Sequence, residues 1–262
     1  MLEIARAYHA PGHAPDRRAT ASACGPARAG GGMIARMCGR YALFGPHSRY
    51  RVNERFGVDR DLFEAWPDRY NAAPSQELPV VRAAADGGRE LLPLRWGLVP
   101  FWSREPGSSY RTINARIETV AARASYREPV RRRRCLVPAS GYYEWQRSGA
   151  GKQPWFIRPP DPEAVWGFAG IWDRWERSGQ RLESFSILVG PPSEAVAEIH
   201  DRMPVIVPPA LYGEWLDPES TDPRALLARL GPWPAEETLA YPVSTFVNRP
   251  VNDSPRCVER LR

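Results

Sequence analysis

Residues 134–145 read Arg-Cys-Leu-Val-Pro-Ala-Ser-Gly-Tyr-Tyr-Glu-Trp, and their pattern decides the fold class. Cys135, Leu136 and Val137 make a short apolar run, and Tyr142 to Trp145 make an aromatic-rich one. Between them lie residues that favour turns. Working outward, the same texture of short strands and turn signals recurs at 78–81, 91–98, 155–157, 166–172, 185–189, 205–207 and 241–247. Helical signals are fewer: 49–56, 193–199 behind an N-capping Ser193, 209–216 and 222–230. Strands dominate and helices intrude irregularly. The expected class is therefore α+β: a single β-rich domain over 37–262, with curved, mostly antiparallel sheets and a few peripheral helices.

Residues 1–36 are rich in Ala, Gly, Arg and Pro, end near Gly30-Gly31-Gly32 and carry no hydrophobic periodicity. They are expected to be a disordered extension, or upstream sequence read from a misassigned start, since Met33 and Met37 both offer later starts. This segment holds five Arg against two acidic residues, so three of the six net positive charges sit there. The remainder, with 31 basic and 28 acidic residues, is too evenly balanced for global charge to argue nucleic-acid binding. Four scattered cysteines with no CxxC pair argue against a zinc site or a disulfide framework, and suit a reduced cytoplasmic protein. No metal and no cofactor is implied. No apolar run approaches a membrane span, so no membrane partner is expected.

The chemistry begins at Met37-Cys38-Gly39-Arg40-Tyr41. If Met37 is the initiator, its removal leaves Cys38 with a free α-amine and a thiol on adjacent carbons. Such a 1,2-aminothiol condenses with an aldehyde, first as a Schiff base and then as a thiazolidine ring. The two groups titrate at roughly 8 and about 8.5, close enough to neutrality for both to react. The only lysine, Lys152, lies in a polar turn, so the N-terminus is the other amine available to Schiff-base chemistry.

Other candidates carry two readings each. Glu144 shares a strand face with Tyr142, and its aromatic flanks favour a desolvated general acid or base; an edge-strand Glu facing solvent is the alternative. His200 ends a short helix beside Asp201, as an acid/base group or as a helix-capping residue. Thr112, Asn114, Arg116 and Glu118 alternate onto one strand face, which could hold a phosphate and a sugar hydroxyl or simply be solvated. Asn71 and Pro74 read as a turn that fixes backbone near a ligand. Phe101 and Trp102, in a Pro-containing loop, are candidates for stacking on bases, whereas Trp96 reads as core. The arginine run at 131–134 reads as a solvated helix end.

Taken together these segments resemble the SRAP family (SOS-response-associated peptidase, abasic-site processing proteins). The matching pieces are MCGRY at 37–41, YNAAPSQ at 70–76, WGLVPFW at 96–102, INARIET at 113–119, RCLVPASGYYEW at 134–145, FAGIWD at 168–173, IHDRMPVIV at 199–207 and PVS at 242–244. The resemblance implies a compact fold with a positively charged groove for single-stranded DNA, and a mature N-terminal Cys that forms a thiazolidine with the ring-opened abasic-site aldehyde. On that basis Cys38 is the nucleophile, and Asn114, Glu144 and His200 complete the site. Arg40, Asn71, Pro74, Phe101, Trp102 and Arg116 would meet DNA. It further implies autopeptidase and AP-lyase activity and a role in DNA damage repair within the SOS response; a monomer is expected, and a cytoplasmic protein that joins the nucleoid when bound. With residues 1–37 attached, Cys38 has only an amide nitrogen and cannot close the ring. Two other functions compete: a thiol peptidase using Cys38 with Glu144 and His200, and a non-covalent reader of single-stranded or modified DNA.

Overall fold

A computed structural model of the protein describes residues 38–45, 47–66, 68–106, 112–149 and 151–262. The expected extension at 1–36 lies outside the described residues, which belong to one compact unit, Arg36–Arg262. In chain order the elements are β1 (Tyr41–Leu43), α1 (Ser48–Phe56), β2 (Arg60–Asp61), β3 (Arg69–Ala72), β4 (Glu77–Ala83), β5 (Arg89–Trp96) and β6 (Asn114–Arg116). Then come α2 (Arg127–Arg132), β7 (Arg134–Ala139), β8 (Gly141–Ser148), β9 (Gly151–Arg158), β10 (Trp166–Arg177) and β11 (Gln180–Gly190). The chain ends with α3 (Glu194–Ala197), β12 (Met203–Pro204), α4 (Tyr212–Leu216), α5 (Pro223–Leu227) and β13 (Leu239–Pro242). The class is β-rich α+β with mostly antiparallel pairing, as the sequence texture implies.

Two sheets are built. One runs β13-β9-β8-β1-β3; the other runs β12-β11-β10-β7-β4-β5-β2, with β6 added alongside β11. A parallel pairing of β5 with β11, Ser184 opposite Arg95 and Phe185 opposite Trp96, closes five strands of the second sheet into a small barrel. The long β10–β11 hairpin turns on Ser178 and Gly179, both at positive φ, the mirror-image turn that matches strand twist. The chain crosses from barrel to flat sheet at 139–141. There a Cβ on Gly141 would lie 2.6 Å from the Ile157 carbonyl oxygen, so only glycine lets β8 approach β9 this closely.

Apolar side chains separate into three clusters. One packs the helices against the barrel, around Phe56, Leu136, Tyr212 and Trp215. A second fills the space between the sheets, with Trp96, Phe168, Phe185, Tyr41, Tyr142 and the Cys38 side chain. The third backs the other face of the flat sheet with Tyr143, Phe156 and Tyr241. Strand alternation along β8 therefore sends Tyr142 and Glu144 inward and Tyr143 and Trp145 to the opposite face, as expected.

Several local expectations are corrected. Residues 205–207 form no strand: flanked by Pro204 and Pro208, they make only an isolated bridge, Ile206 with Phe168. The stretch 241–247 is strand only to Pro242 and then turns into a 3₁₀ segment capped by Ser244, whose hydroxyl accepts from Phe246 N. The helix expected at 193–199 contracts to four residues, and Ser193 makes no side-chain cap. The arginine run is split. Arg131 and Arg132 end α2 in solvent, but Arg134 is buried over the Trp215 ring and donates to the carbonyls of Val130, Arg131, Trp215 and Asp217. Among the described residues no helix is long and apolar enough to cross a membrane.

Candidate active site

Four residues remote in sequence meet at one end of the inter-sheet core. Cys38 stands just before β1, which places its backbone beside β8. Its nitrogen donates to Glu144 Oε1 at 2.8 Å, and its thiol also hydrogen-bonds the Glu144 side chain. One carboxyl group thus holds both the nitrogen and the sulfur of a single residue. From β6, Asn114 Nδ2 donates to the Cys38 carbonyl at 3.1 Å. β6 reaches this position by parallel pairing with β11, Asn114 opposite Ile187, and the Asn114 carbonyl is held by Tyr126 Oη at 3.2 Å. Cys38 itself adopts φ +28°, a left-handed conformation that costs a non-glycine residue about 1–3 kcal/mol.

His200 follows α3 and puts Nε2 3.9 Å from Glu144 Oε2. Its Nδ1 accepts from Arg202 N at 3.1 Å and lies 3.2 Å from Asp201 Oδ1. In the neutral ring the Arg202 contact leaves the proton on Nε2, facing Glu144; in the protonated ring Nδ1–H is met by Asp201. Arg202 is itself fixed by Glu118 at 2.9 Å, so it orients His200 as part of a short network that sequence pattern alone did not single out.

Burial governs the electrostatics. Glu144 is 1% exposed because β8 is central, between β1 and β9, which corrects the edge-strand alternative. Desolvation pushes its carboxyl up to about 8, opposed by the hydrogen bonds from Cys38 and from Trp145 N. Burial raises the Cys38 thiol well above its ordinary value, and the neighbouring Glu144 charge adds to that rise. The thiol is therefore a donor to Glu144. Tyr142, on the same face of β8, is raised for the same reason, with Cys38 and Glu144 as the next contributors.

The remaining candidates divide. Phe101 and Trp102 are half exposed, at 53% and 50%, while Trp96 is core and donates to the Ile113 carbonyl at 2.9 Å. Arg116 is exposed at the end of β6 and Pro74 is half-buried in its turn. Arg40 is half-buried: it donates to Asn71 Oδ1 and to the carbonyls of Val247 and Asn248. Asn71 is fully buried, and its Nδ2 donates to the carbonyls of Val247, Arg249 and Asn252. From that buried position Asn71 fixes the backbone of the 247–252 loop.

The chain is 38% identical to abasic site processing protein YoqW of Bacillus subtilis (strain 168) over 85% of this chain and 99% of that protein. It is 37% identical to abasic site processing protein HMCES of Gallus gallus, covering 72% of this chain and 65% of that one. A crystal structure of a protein from Bacteroides thetaiotaomicron superposes with a TM-score of 0.74 at 28% identity, over 86% of this chain and all of that chain. Residues 37–250, which include Cys38, Asn114, Glu144 and His200, match the description of the SOS response associated peptidase (SRAP) family, and the chain belongs to that family.

Proposed function

We propose that this protein processes abasic sites by forming a covalent thiazolidine between Cys38, freed of residues 1–37, and the ring-opened aldehyde of the lesion in single-stranded DNA. The carrying observation is that Glu144 holds both the nitrogen and the sulfur of Cys38. Relatives named for abasic-site processing support the same reading. The α-amine adds to the aldehyde carbon, and the carbinolamine loses its oxygen as water to give an imine. The Cys38 sulfur then adds to that carbon while its proton passes through Glu144 to the imine nitrogen. The product has one new C–N and one new C–S bond on the former aldehyde carbon, with no redox change. Asn114 orients the Cys38 backbone. His200 supplies the proton for sugar ring opening and supports Schiff-base turnover with strand cleavage. Phe101 and Trp102 stack on bases, and Arg116, Pro74 and Arg40 border the strand. We further place the protein as a cytoplasmic monomer acting at damaged DNA.

The same contact supports a second activity. With Met37 attached, the Cys38 thiol attacks the carbonyl carbon of residue 37, Glu144 returns a proton to the departing Cys38 nitrogen, and water hydrolyses the thioester. That self-cleavage generates the reactive terminus from the longer chain.

Chains starting at Met1 and at Met37 are each incubated with an abasic-site oligonucleotide and run on a denaturing gel. A heat-stable shifted band is expected from the Met37 form and lost in Cys38→Ser. Bands from both forms, with Cys38 found as the N-terminus, establish self-removal of the extension. No band from either overturns the crosslinking reading and favours a non-covalent reader.

A further inference from the structure

The loop that leaves β5 carries its two exposed aromatic rings on a regular set of anchors. Gly97 N donates to the Phe185 carbonyl at 2.8 Å, and Val99 N donates to Ser184 Oγ at 2.8 Å. Phe101 N donates to Asp173 Oδ2 at 2.9 Å, and the Ser103 carbonyl accepts from Trp175 Nε1 at 2.9 Å. Every second residue from 97 to 103 is thus pinned to β10 or β11. Two of the acceptors are side chains with no exposure of note: Ser184 is fully buried and Asp173 is 2% exposed. A buried carboxylate is costly unless its charge is met. Here Arg133, at the end of α2, lies 3.2 Å from Asp173 Oδ1, and Trp172 N donates to the Arg133 carbonyl at 2.8 Å. Asp173 Oδ1 also accepts from Arg174 N at 2.9 Å. Burial raises the Asp173 carboxyl above its ordinary value, while the Phe101 amide and Arg133 oppose that rise. A buried carboxylate, met by the half-buried Arg133, thus fixes the backbone of a residue whose ring lies in solvent.

We infer that Asp173, with Ser184, is a positioning residue for nucleic-acid binding: it holds residues 97–103 in one conformation, so that Phe101 and Trp102 are presented to unpaired bases already ordered. The inference rests on the proposed role of those two rings at DNA. Its physical content is preorganisation. Rings that are already fixed lose little conformational freedom on stacking, and that saving appears as affinity.

Electrostatics gives the test its sign. Asp173→Asn removes a negative charge and leaves Arg133 less compensated, so on charge alone DNA binding should tighten. Asn keeps one acceptor oxygen, which Arg174 N and Arg133 together claim, so its NH2 group is turned toward Phe101 N and the tether is lost, which predicts weakening. Binding of the full chain to a fluorescein-labelled single-stranded oligonucleotide is followed by anisotropy for wild type, Asp173→Asn, the double variant Phe101→Ala/Trp102→Ala, and the triple variant. The expected result is about a tenfold weakening for Asp173→Asn, and a triple variant no weaker than the double one. If the double variant binds like wild type, the assignment of the rings to DNA fails. If the double variant weakens binding but Asp173→Asn does not, or the two losses simply add, the tether is overturned. Thermal unfolding checks that each variant is folded. Should Asp173→Asn not fold, Ser184→Ala, which removes only the Val99 acceptor, is read in the same cycle with the same outcomes.

Discussion

Glu144 serves two atoms of one residue from a position that water does not reach, and that position sets its pH behaviour. An unfolded glutamate titrates at about 4.3, whereas burial holds the folded group to about 8. Between those values the native state binds the extra proton, so this group's stabilisation is complete below about pH 4 and declines as pH rises through 8. Glu144→Gln cannot ionise and removes that slope. The variant is expected to melt at a higher temperature than wild type at pH 8 while crosslinking on the order of 10²-fold more slowly, as for a lost proton-transfer group. Melting curves from pH 5 to 9 beside initial crosslinking rates check both halves; a variant that melts lower at pH 8 contradicts the buried-acid assignment. Cys38, Asn114, Glu144 and His200 could be grouped from the chain only through the family resemblance, because Glu144 among many acidic residues and His200 at a helix end each carried a second, plainer reading. The burial of Glu144 was not: strand centrality is a property of pairing partners, and β1 pairs with β8 across about a hundred intervening residues.

At the scale of elements, the alternation along β8 could be read from Tyr142-Tyr143-Glu144-Trp145 because its period is two wherever the strand lies. Shorter elements were harder. β1, β3 and β6 each have three or four residues and acquire strand geometry only from their neighbours, and the Pro204 and Pro208 pair cuts off the apolar run 205–207. Arg134 illustrates the same limit: at the end of a run of four arginines it reads as solvated like Arg131 and Arg132, yet the Trp215 ring and four carbonyls bury it. Asn71 reads as a turn residue, and only the fold shows which turn it fixes. Where an element depends on a close approach, the sequence does give the residue. Gly141→Ala forces a methyl to 2.6 Å from the Ile157 carbonyl oxygen and the Phe156 ring, separating β8 from β9 two residues before Tyr143 and three before Glu144. A destabilisation of about 1–3 kcal/mol is expected from such overpacking, with crosslinking lost beyond the folded fraction; urea unfolding measures the first and the denaturing gel the second.

For the molecule as a whole, the barrel seam between β5 and β11 is what makes the site possible. It brings the loop carrying Phe101 and Trp102 out from β5, and β6 joins the same β11 strand to deliver Asn114. Nothing in the local pattern announces a parallel pair between segments ninety residues apart, which is why the class could be read from strand texture but the closure could not. Charge, by contrast, is fully legible. Because half of the net +6 resides in residues 1–36, the Met1 form carrying Cys38→Ser, which keeps the extension attached, should bind single-stranded DNA with a steeper salt dependence than the Met37 form carrying the same change. The slope of log K against log salt should differ by up to about 2, and titrations between 50 and 200 mM salt, a span wide enough to resolve it, check this; equal slopes would place those arginines away from the strand. The burial of Cys38 and Glu144 has a last consequence, for the lifetime of the adduct rather than its formation. Imine formation releases one water molecule and its reversal needs one back. If the proposed linkage forms at the buried Cys38 and Glu144, in the apolar cluster that also holds Tyr142, Trp96 and Phe168, the hydrolytic reagent is scarce at the bond it would attack. On the proposed reading, the core that folds the protein also sets how long the lesion stays capped.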